Sequence, residues 1–328
     1  LAKVILIPLM SLLFLVLPSC SFTDEPFAFF STSVQGIFSA AYSTDGGHVL
    51  AGSIQHGGSL WNTENAERLF NWNHQANLTS QITSMAFSAD GNFALTSDDS
   101  TLVLWDVSTG EALRFFNAPS TVLHLALSPS AQTALLGLAN GNAVLFDVQR
   151  GGIIQELEQG HRILSMAVSN NGDYALFGLD NGQAKFWNLR SMELINEIET
   201  QGRVQTVALS SDGRFGLFTV QHIDAVVWDM HANSLHSKLN YSNRFFPSFS
   251  SFVVARFSKD GSQILTGNTT GAVELWSREN GNRIKRWITP VGSAFKPRIF
   301  SVVAVAINDQ LRQVSAIASN GTSYRYQF

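Results

Sequence analysis

Apolar and polar residues alternate in short runs along most of the chain, and polar turns close these runs. The pattern recurs as AAYSTDG, MAFSADG, LALSPSA, MAVSNNG, VALSSDG, ARFSKDG and VAINDQ. Alternation predicts a half-buried strand, and Asp-Gly or Asn-Gly after it predicts a tight turn. A second run of small and apolar residues follows, as in FALTSDD and YALFGLDNG.

A third strand in each unit ends in an aromatic residue. These residues are Trp61, Trp105, Phe146, Trp187, Trp228, Trp276 and Tyr324. They are spaced 44, 41, 41, 41, 48 and 48 residues apart. A further apolar strand, such as EALRFF or ELINEIE, completes the unit. The sequence therefore predicts seven units of four short strands.

Four strands in a period of about 40–45 residues are typical of one blade of a β-propeller. A single four-stranded sheet cannot cover both of its faces, whereas blades stacked in a ring cover one another and leave only short edges. We therefore predict an all-β, seven-bladed β-propeller of antiparallel strands, formed as one domain by residues 26–328.

The motifs resemble those of WD-repeat proteins, whose third strand ends in Trp-Asp. That pair occurs here at 105–106 and 228–229. The family's Gly-His pair occurs once, at 160–161, where His161 is its second residue. The resemblance implies that His161, Asp180 and Trp187 occupy positions of the family's structural hydrogen-bond network. It also implies that an N-terminal strand completes the last blade. The run PFAFFST at 26–32 is the strand we expect there.

The first residues read as a leader. An apolar run from Val4 to Leu17 is interrupted only by Pro8 and Ser11. It is shorter than the roughly 20 residues of a membrane-spanning helix. It therefore predicts a signal peptide over 1–19, with an uncleaved anchor as the alternative.

Cys20, the single cysteine, stands where this apolar run ends. The sequence LPSC resembles the lipobox of bacterial lipoproteins, which implies lipidation of Cys20 and a short tether over 20–25. Ser21 in place of Asp then implies the outer membrane, with the protein facing the periplasm. The alternative is a chance cysteine with cleavage nearby.

The amino-acid composition argues against several classes of protein and of partner. Hydrophobic residues make up 45% of the chain and charged residues 14%, which excludes a disordered chain and a charge-rich helical bundle. A net charge of −4 argues against a nucleic-acid partner. One cysteine excludes an internal disulfide.

Catalytic signatures are absent from the sequence: it has no G-x-S-x-G, Walker A or H-E-x-x-H motif. His231 and His236 could in principle ligate a metal, but we interpret them as exposed polar residues. We therefore predict no enzymatic activity, no cofactor and no metal.

Two long connections, 240–251 and 289–298, distinguish the last units and are predicted to lie on one face. They carry Arg244, Phe245, Phe246, Phe249, Phe295, Lys296 and Arg298. Aromatic residues and Arg are enriched at interface hot spots. These residues therefore predict a binding edge, or else the Phe side chains pack under their own loops.

A position just before each inner strand is also distinctive. Its predicted occupants are Gly36, Gln81, Thr121, Arg162, Arg203, Ser251 and Arg298. Three guanidinium groups at this position would form a positive rim on the channel mouth. Alternatively, they pair with carboxylates such as Glu158 or Glu199.

These features favour a non-catalytic scaffold that is anchored in the cell envelope and binds a protein or peptide. Because a fold does not determine function, a second hypothesis stays open. It is an enzyme or small-molecule-binding propeller that acts on an anionic ligand at the channel mouth.

Overall fold

A computed structural model describes residues 25–75, 78–220, 225–240, 251–290 and 299–328. These residues form 28 strands in seven sheets and no helix. Every sheet has four antiparallel strands. The prediction of a seven-bladed, all-β propeller is confirmed.

Blades one to three follow one another along the chain. Blade one contains β2 (Ile37–Tyr42), β3 (His48–Ser53), β4 (Gly57–Asn62) and β5 (Arg68–Trp72). Blade two contains β6 (Ser84–Phe87), β7 (Phe93–Asp98), β8 (Thr101–Asp106) and β9 (Ala112–Asn117). Blade three contains β10 (Val122–Leu127), β11 (Thr133–Leu138), β12 (Ala143–Asp147) and β13 (Ile153–Leu157).

Blades four to six repeat this order. Blade four contains β14 (Ile163–Val168), β15 (Tyr174–Leu179), β16 (Gln183–Asn188) and β17 (Glu193–Glu199). Blade five contains β18 (Val204–Leu209), β19 (Phe215–Val220), β20 (Ala225–Asp229) and β21 (Ser234–Lys238). Blade six contains β22 (Phe252–Phe257), β23 (Gln263–Asn268), β24 (Ala272–Ser277) and β25 (Arg283–Ile288).

Blade seven joins the two ends of the described chain. It contains β26 (Val302–Asn308), β27 (Gln313–Ala318), β28 (Thr322–Gln327) and, as its outer strand, β1 (Ala28–Ser31). The backbone N–H of Phe27 donates to the carbonyl of Arg325, and that of Thr32 donates to Gly321. The predicted closure by the N-terminal strand is confirmed.

The core consists of apolar layers between neighbouring blades. One layer joins Leu104 of blade two to Leu136 and Phe146 of blade three. The blades approach so closely that some second strands require glycine. A Cβ on Gly178 would lie 2.7 Å from the carbonyl oxygen of Val204 in the next blade.

The strand order defines two faces of the ring. The upper face holds the connections from each outer strand to the next inner strand, together with the turns between second and third strands. The lower face holds the remaining turns. Aspartates recur on the lower face because they stabilise these turns: Asp212 accepts hydrogen bonds from the Ser210 hydroxyl and the Arg214 N–H.

Candidate binding face

Arg162 and Arg203 immediately precede the inner strands β14 and β18 on the upper face, as predicted. Both side chains are exposed. Neither forms an ion pair with a carboxylate among the described residues, and Glu199 instead accepts a hydrogen bond from Gln183. Both guanidinium groups are therefore available to a ligand.

The upper rim has mixed charge, so neither a wholly positive rim nor arginines paired with neighbouring carboxylates describes it. Exposed Glu158 lies in the same connection as Arg162, and exposed Glu199 is the last residue of β17, shortly before Arg203. Asp180, in the turn between β15 and β16, lies close to His161. A partner of this face would meet both signs of charge.

The assignment of Arg298 to the position before the inner strand is wrong. Val302 pairs with Ala318 and the register shifts before Ala304, as Ile163 pairs with Leu179 and the register shifts before Ser165. Ser301 therefore occupies this position in blade seven. Arg298 itself lies outside the described residues.

Several other predicted residues also lie outside the described part of the chain. They are Cys20 with the leader 1–19, and Arg244, Phe245, Phe246, Phe249, Phe295 and Lys296 of the two long connections. Their predicted roles stay predictions.

A ring of bulged residues surrounds the upper end of the channel, and the sequence analysis did not find it. In six blades the ladder between the first two strands skips the second residue of the inner strand. The skipped residues are Phe38, Leu123, Leu164, Gln205, Val253 and Val303. A bulge redirects a side chain and is common beside functional sites. Five of these six residues are apolar.

Exposed apolar side chains are unequally divided between the two faces. On the upper face the described residues expose Val34, Phe38, Ile54, Leu78, Val253 and Ile299. On the lower face the described part of the chain exposes Leu311 and also Phe27, which lies just before β1 at that end of blade seven. Other exposed apolar residues, such as Phe115, lie on outer strands and are spread around the perimeter. The upper face therefore has the apolar surface suited to a partner.

The hydrogen-bond network predicted in blade four does not form among the described residues. His161 Nδ1 lies 3.8 Å from Asp180 Oδ1, which is too far for a hydrogen bond, and the buried Trp187 Nε1 has no hydrogen-bond partner there. The reason lies in β15, where Phe177 occupies the position that provides an acceptor in other blades. A phenyl ring cannot accept the indole N–H as a hydroxyl does.

Blade two contains the more complete network. Trp105 Nε1 donates to Thr96 Oγ1 over 2.8 Å, and Thr96 Oγ1 lies 2.9 Å from His74 Nε2. Burial lowers the pKa of His74 to about 4, so its ring is neutral at pH 7. Blade six repeats the Trp–Thr bond between Trp276 and Thr266. In both blades the Thr lies two residues after the residue that pairs with the Trp across the strands. This spacing is present in the sequence, but the sequence analysis did not use it.

The other aromatic residues of the third strands pack between or within blades. Trp61 lies 5.8 Å from Phe30, measured between ring centroids, and Phe146 lies 5.3 Å from Phe116. Trp228 donates its Nε1 proton to Asn233 on the lower face. Tyr324 packs beside Phe29 in the closing sheet.

The described residues contain no group of three His, Cys, Asp or Glu side chains that could hold a metal ion. His231 packs beside Tyr174 of the neighbouring blade, and His236 packs beside Phe215 within its own blade. His231 is exposed, as interpreted from the sequence, whereas the interpretation of His236 as exposed is wrong, because its ring is half-buried against Phe215. Within the described ranges, no helix is long and apolar enough to span a membrane.

Comparison with models of protein families gives a match to one repeat. The family model for the WD domain, G-beta repeat, matches residues 69–106, which include the network of His74, Thr96 and Trp105. A search of curated proteins found no match. Together, the matched repeat and the seven-bladed ring support the WD-repeat propeller family for this chain.

Proposed function

We propose that this chain is a non-catalytic interaction scaffold that binds a protein or peptide partner at its upper face. The observation that supports the proposal most strongly is the unequal distribution of exposed apolar side chains. Phe38 and Val253, on the bulges of β2 and β22, are 45% and 42% exposed at the channel mouth. Exposed apolar clusters of this kind with a polar rim are typical of interaction sites.

The rim supplies polar contacts around this apolar surface. Arg162 and Arg203 are exposed and make no ion pair within the described residues. Arg is enriched at hot spots, where its guanidinium binds carboxylates and carbonyl oxygens. The connections 240–251 and 289–298 join β21 to β22 and β25 to β26, and we propose that their Phe and Arg residues enlarge the same surface.

A second function rests on the same two arginines. They would hold an anionic substrate or small molecule at the channel mouth, as an enzyme or ligand-binding propeller would require. The two functions differ in the area of the face that they use. A small anion needs the two arginines but not Val34 or Ile54, which are exposed on the same face at blade one.

A site-specific cross-linking experiment tests the scaffold function. A photo-reactive amino acid is introduced at Val34 on the upper face or at Leu311 on the lower face, and the cells are irradiated. Val34 is 90% exposed and Leu311 is 58% exposed, so both positions tolerate the change. We expect the same discrete protein adduct from Val34 and not from Leu311. Adducts from Leu311 alone would contradict the choice of face.

We also propose that the scaffold is a lipoprotein of the bacterial outer membrane that faces the periplasm. The support is the lipobox-like sequence LPSC with Ser21 after the cysteine. A lipid-modified cysteine carrying several acyl chains would hold a folded domain stably at the membrane. Cys20→Ala should move the protein from the membrane fraction to the soluble periplasmic fraction, whereas Ser21→Ala should not. Continued membrane association of the Cys20 variant would exclude the lipid anchor.

A further inference from the structure

One position of the inner strands differs in a single blade. At the fifth position of the inner-strand segment, six blades carry alanine and blade six carries Arg256. The alanines are Ala41, Ala86, Ala126, Ala167, Ala208 and Ala306. Alanine suits this position because neighbouring inner strands lie close together around the axis. A long cation there extends into the central channel.

The channel is a cavity of about 350 Å³ that is open to solvent. Residues from all seven inner strands line it, among them Met85, Leu125, Met166 and Val305. Among the described lining residues, Arg256 is the only charged side chain. A single fixed cation among uncharged lining residues marks the place where an anionic group of a ligand can bind.

The guanidinium group of Arg256 has only weak partners in the protein. Its Nη1 lies 3.5 Å from the carbonyl oxygen of Tyr42 and 3.4 Å from that of Ser43. These lengths are at the outer limit for a hydrogen bond. Nε and Nη2 make no hydrogen bond to the described residues, and no carboxylate there forms an ion pair with Arg256.

The side chain of Arg256 is half-buried in a channel that is open to solvent, so a ligand can reach its free N–H groups. Burial lowers the pKa of Arg256 below its usual value, and the charge of Asp45 raises it only in part. An anion that accepts the free N–H groups forms charge-assisted hydrogen bonds, which are stronger than neutral ones. The carbonyl oxygens of Tyr42 and Ser43 contact only Nη1 of the guanidinium group. Its Nε and Nη2 groups are left to bind a ligand.

The remaining lining determines which anion fits. Arg256 is the only cation among the described lining residues, so the second negative charge of a phosphate would have no cation to pair with. A carboxylate carries one charge and matches the planar geometry of a single guanidinium.

We propose that the central channel binds a small ligand group with one carboxylate, and that Arg256 holds the carboxylate. The carboxylate belongs either to a free small acid or to the C-terminus of a peptide inserted into the channel. This site meets the upper-face surface at Val253, which lines the channel, but Arg256 lies deeper in the channel and neither proposal depends on the other.

Calorimetric titration of the purified full chain with matched probes tests the site. Hexanoate is compared with hexan-1-ol, and the tripeptide Ala-Val-Leu with an acetylated N-terminus is compared with its C-terminal amide. Each probe is titrated into the unmodified protein, Arg256→Ala and Arg114→Ala. Arg114 is an exposed arginine on the outer strand β9, so it controls for the loss of a charge. Arg256→Ala is expected to fold, because six blades already carry alanine at this position.

We expect carboxylate probes to bind the unmodified protein and Arg114→Ala, and their neutral matches to bind much more weakly. Arg256→Ala should lose about thirtyfold or more in affinity for the carboxylate probes. Binding of hexanoate indicates a free acid as the ligand, and binding of the peptide alone indicates a C-terminus. Equal carboxylate binding by Arg256→Ala would overturn the proposal. So would the absence of binding by both carboxylate probes at millimolar concentration.

Discussion

Phe29 in the first described strand pairs in register with Tyr324 in the last, and their rings lie 6.4 Å apart. The neighbouring Phe30 points the other way and packs against Trp61 of blade one. The short strand β1 therefore completes the sheet of blade seven and also packs against blade one. Since β1 covers the outer edge of β28, it also blocks an edge that could pair with another chain.

The closure predicts different effects for two adjacent phenylalanines. Phe30→Ala should lower the free energy of unfolding by about 2 kcal/mol, because it removes a ring from the layer between blades seven and one. Phe29→Ala should have little effect, because its ring is 69% exposed. Chemical denaturation of both variants measures the difference.

Deletion of residues 26–32 extends this test to the whole strand. The deletion exposes the edge of β28, so we expect a lower melting temperature and aggregation. A truncated protein that stays monomeric and equally stable would contradict closure by β1.

The fold could be predicted from the sequence because its signals recur seven times. Alternating runs, turn dipeptides and aromatic strand ends all have the same spacing, so weak signals in one blade are supported by the next. Details within a blade could not be predicted in this way. The indole of Trp187 faces Phe177 rather than a hydroxyl group. This could be learned only from the register between β15 and β16.

The candidate site was less predictable, since its parts come from different strands. Phe38 and Val253 are ordinary apolar residues in the sequence, and only the bulges place them at the mouth of the channel. The error at Arg298 has a similar cause. Counting back from an apolar run does not fix the first paired residue, whereas the pairing of Val302 with Ala318 does.

Blades two and six offer a matched comparison of buried hydroxyl groups. The Thr96 hydroxyl forms hydrogen bonds with Trp105 and His74. The Thr266 hydroxyl instead forms hydrogen bonds with Trp276 and with the carbonyl of Glu274, which pairs with it on the adjacent strand. Thr96→Val leaves two buried polar groups without a partner, and each such group costs about 1–3 kcal/mol. Thr266→Val should therefore destabilise the protein less than Thr96→Val does. Equal losses in urea unfolding would indicate that His74 contributes nothing to the network.

His74 should also make stability depend on pH. Burial lowers its folded pKa to about 4 from an ordinary value of 6.5, so the unfolded chain binds more protons between these values. The contribution of His74 is present above pH 6.5 and is lost as the pH falls toward 4. From about pH 7.5 to pH 5 the loss is about 2 kcal/mol. His74→Gln, measured by urea unfolding at both pH values, should remove that part of the slope, and an unchanged slope would contradict the assignment.

The two faces of the ring should respond differently to charge reversal once a partner is identified. Arg162→Glu combined with Arg203→Glu should slow association about tenfold and flatten its dependence on salt, because exposed rim charges act mainly on the encounter rate. Phe38→Ala should instead speed dissociation, because a buried anchor acts on the lifetime of the complex. Arg150→Glu, in the lower-face turn between β12 and β13, is the matched control and should change neither rate. Surface plasmon resonance separates the two rate constants, and circular dichroism confirms that each variant is folded. A large effect of Arg150→Glu, with none from the upper-face variants, would place the partner on the lower face.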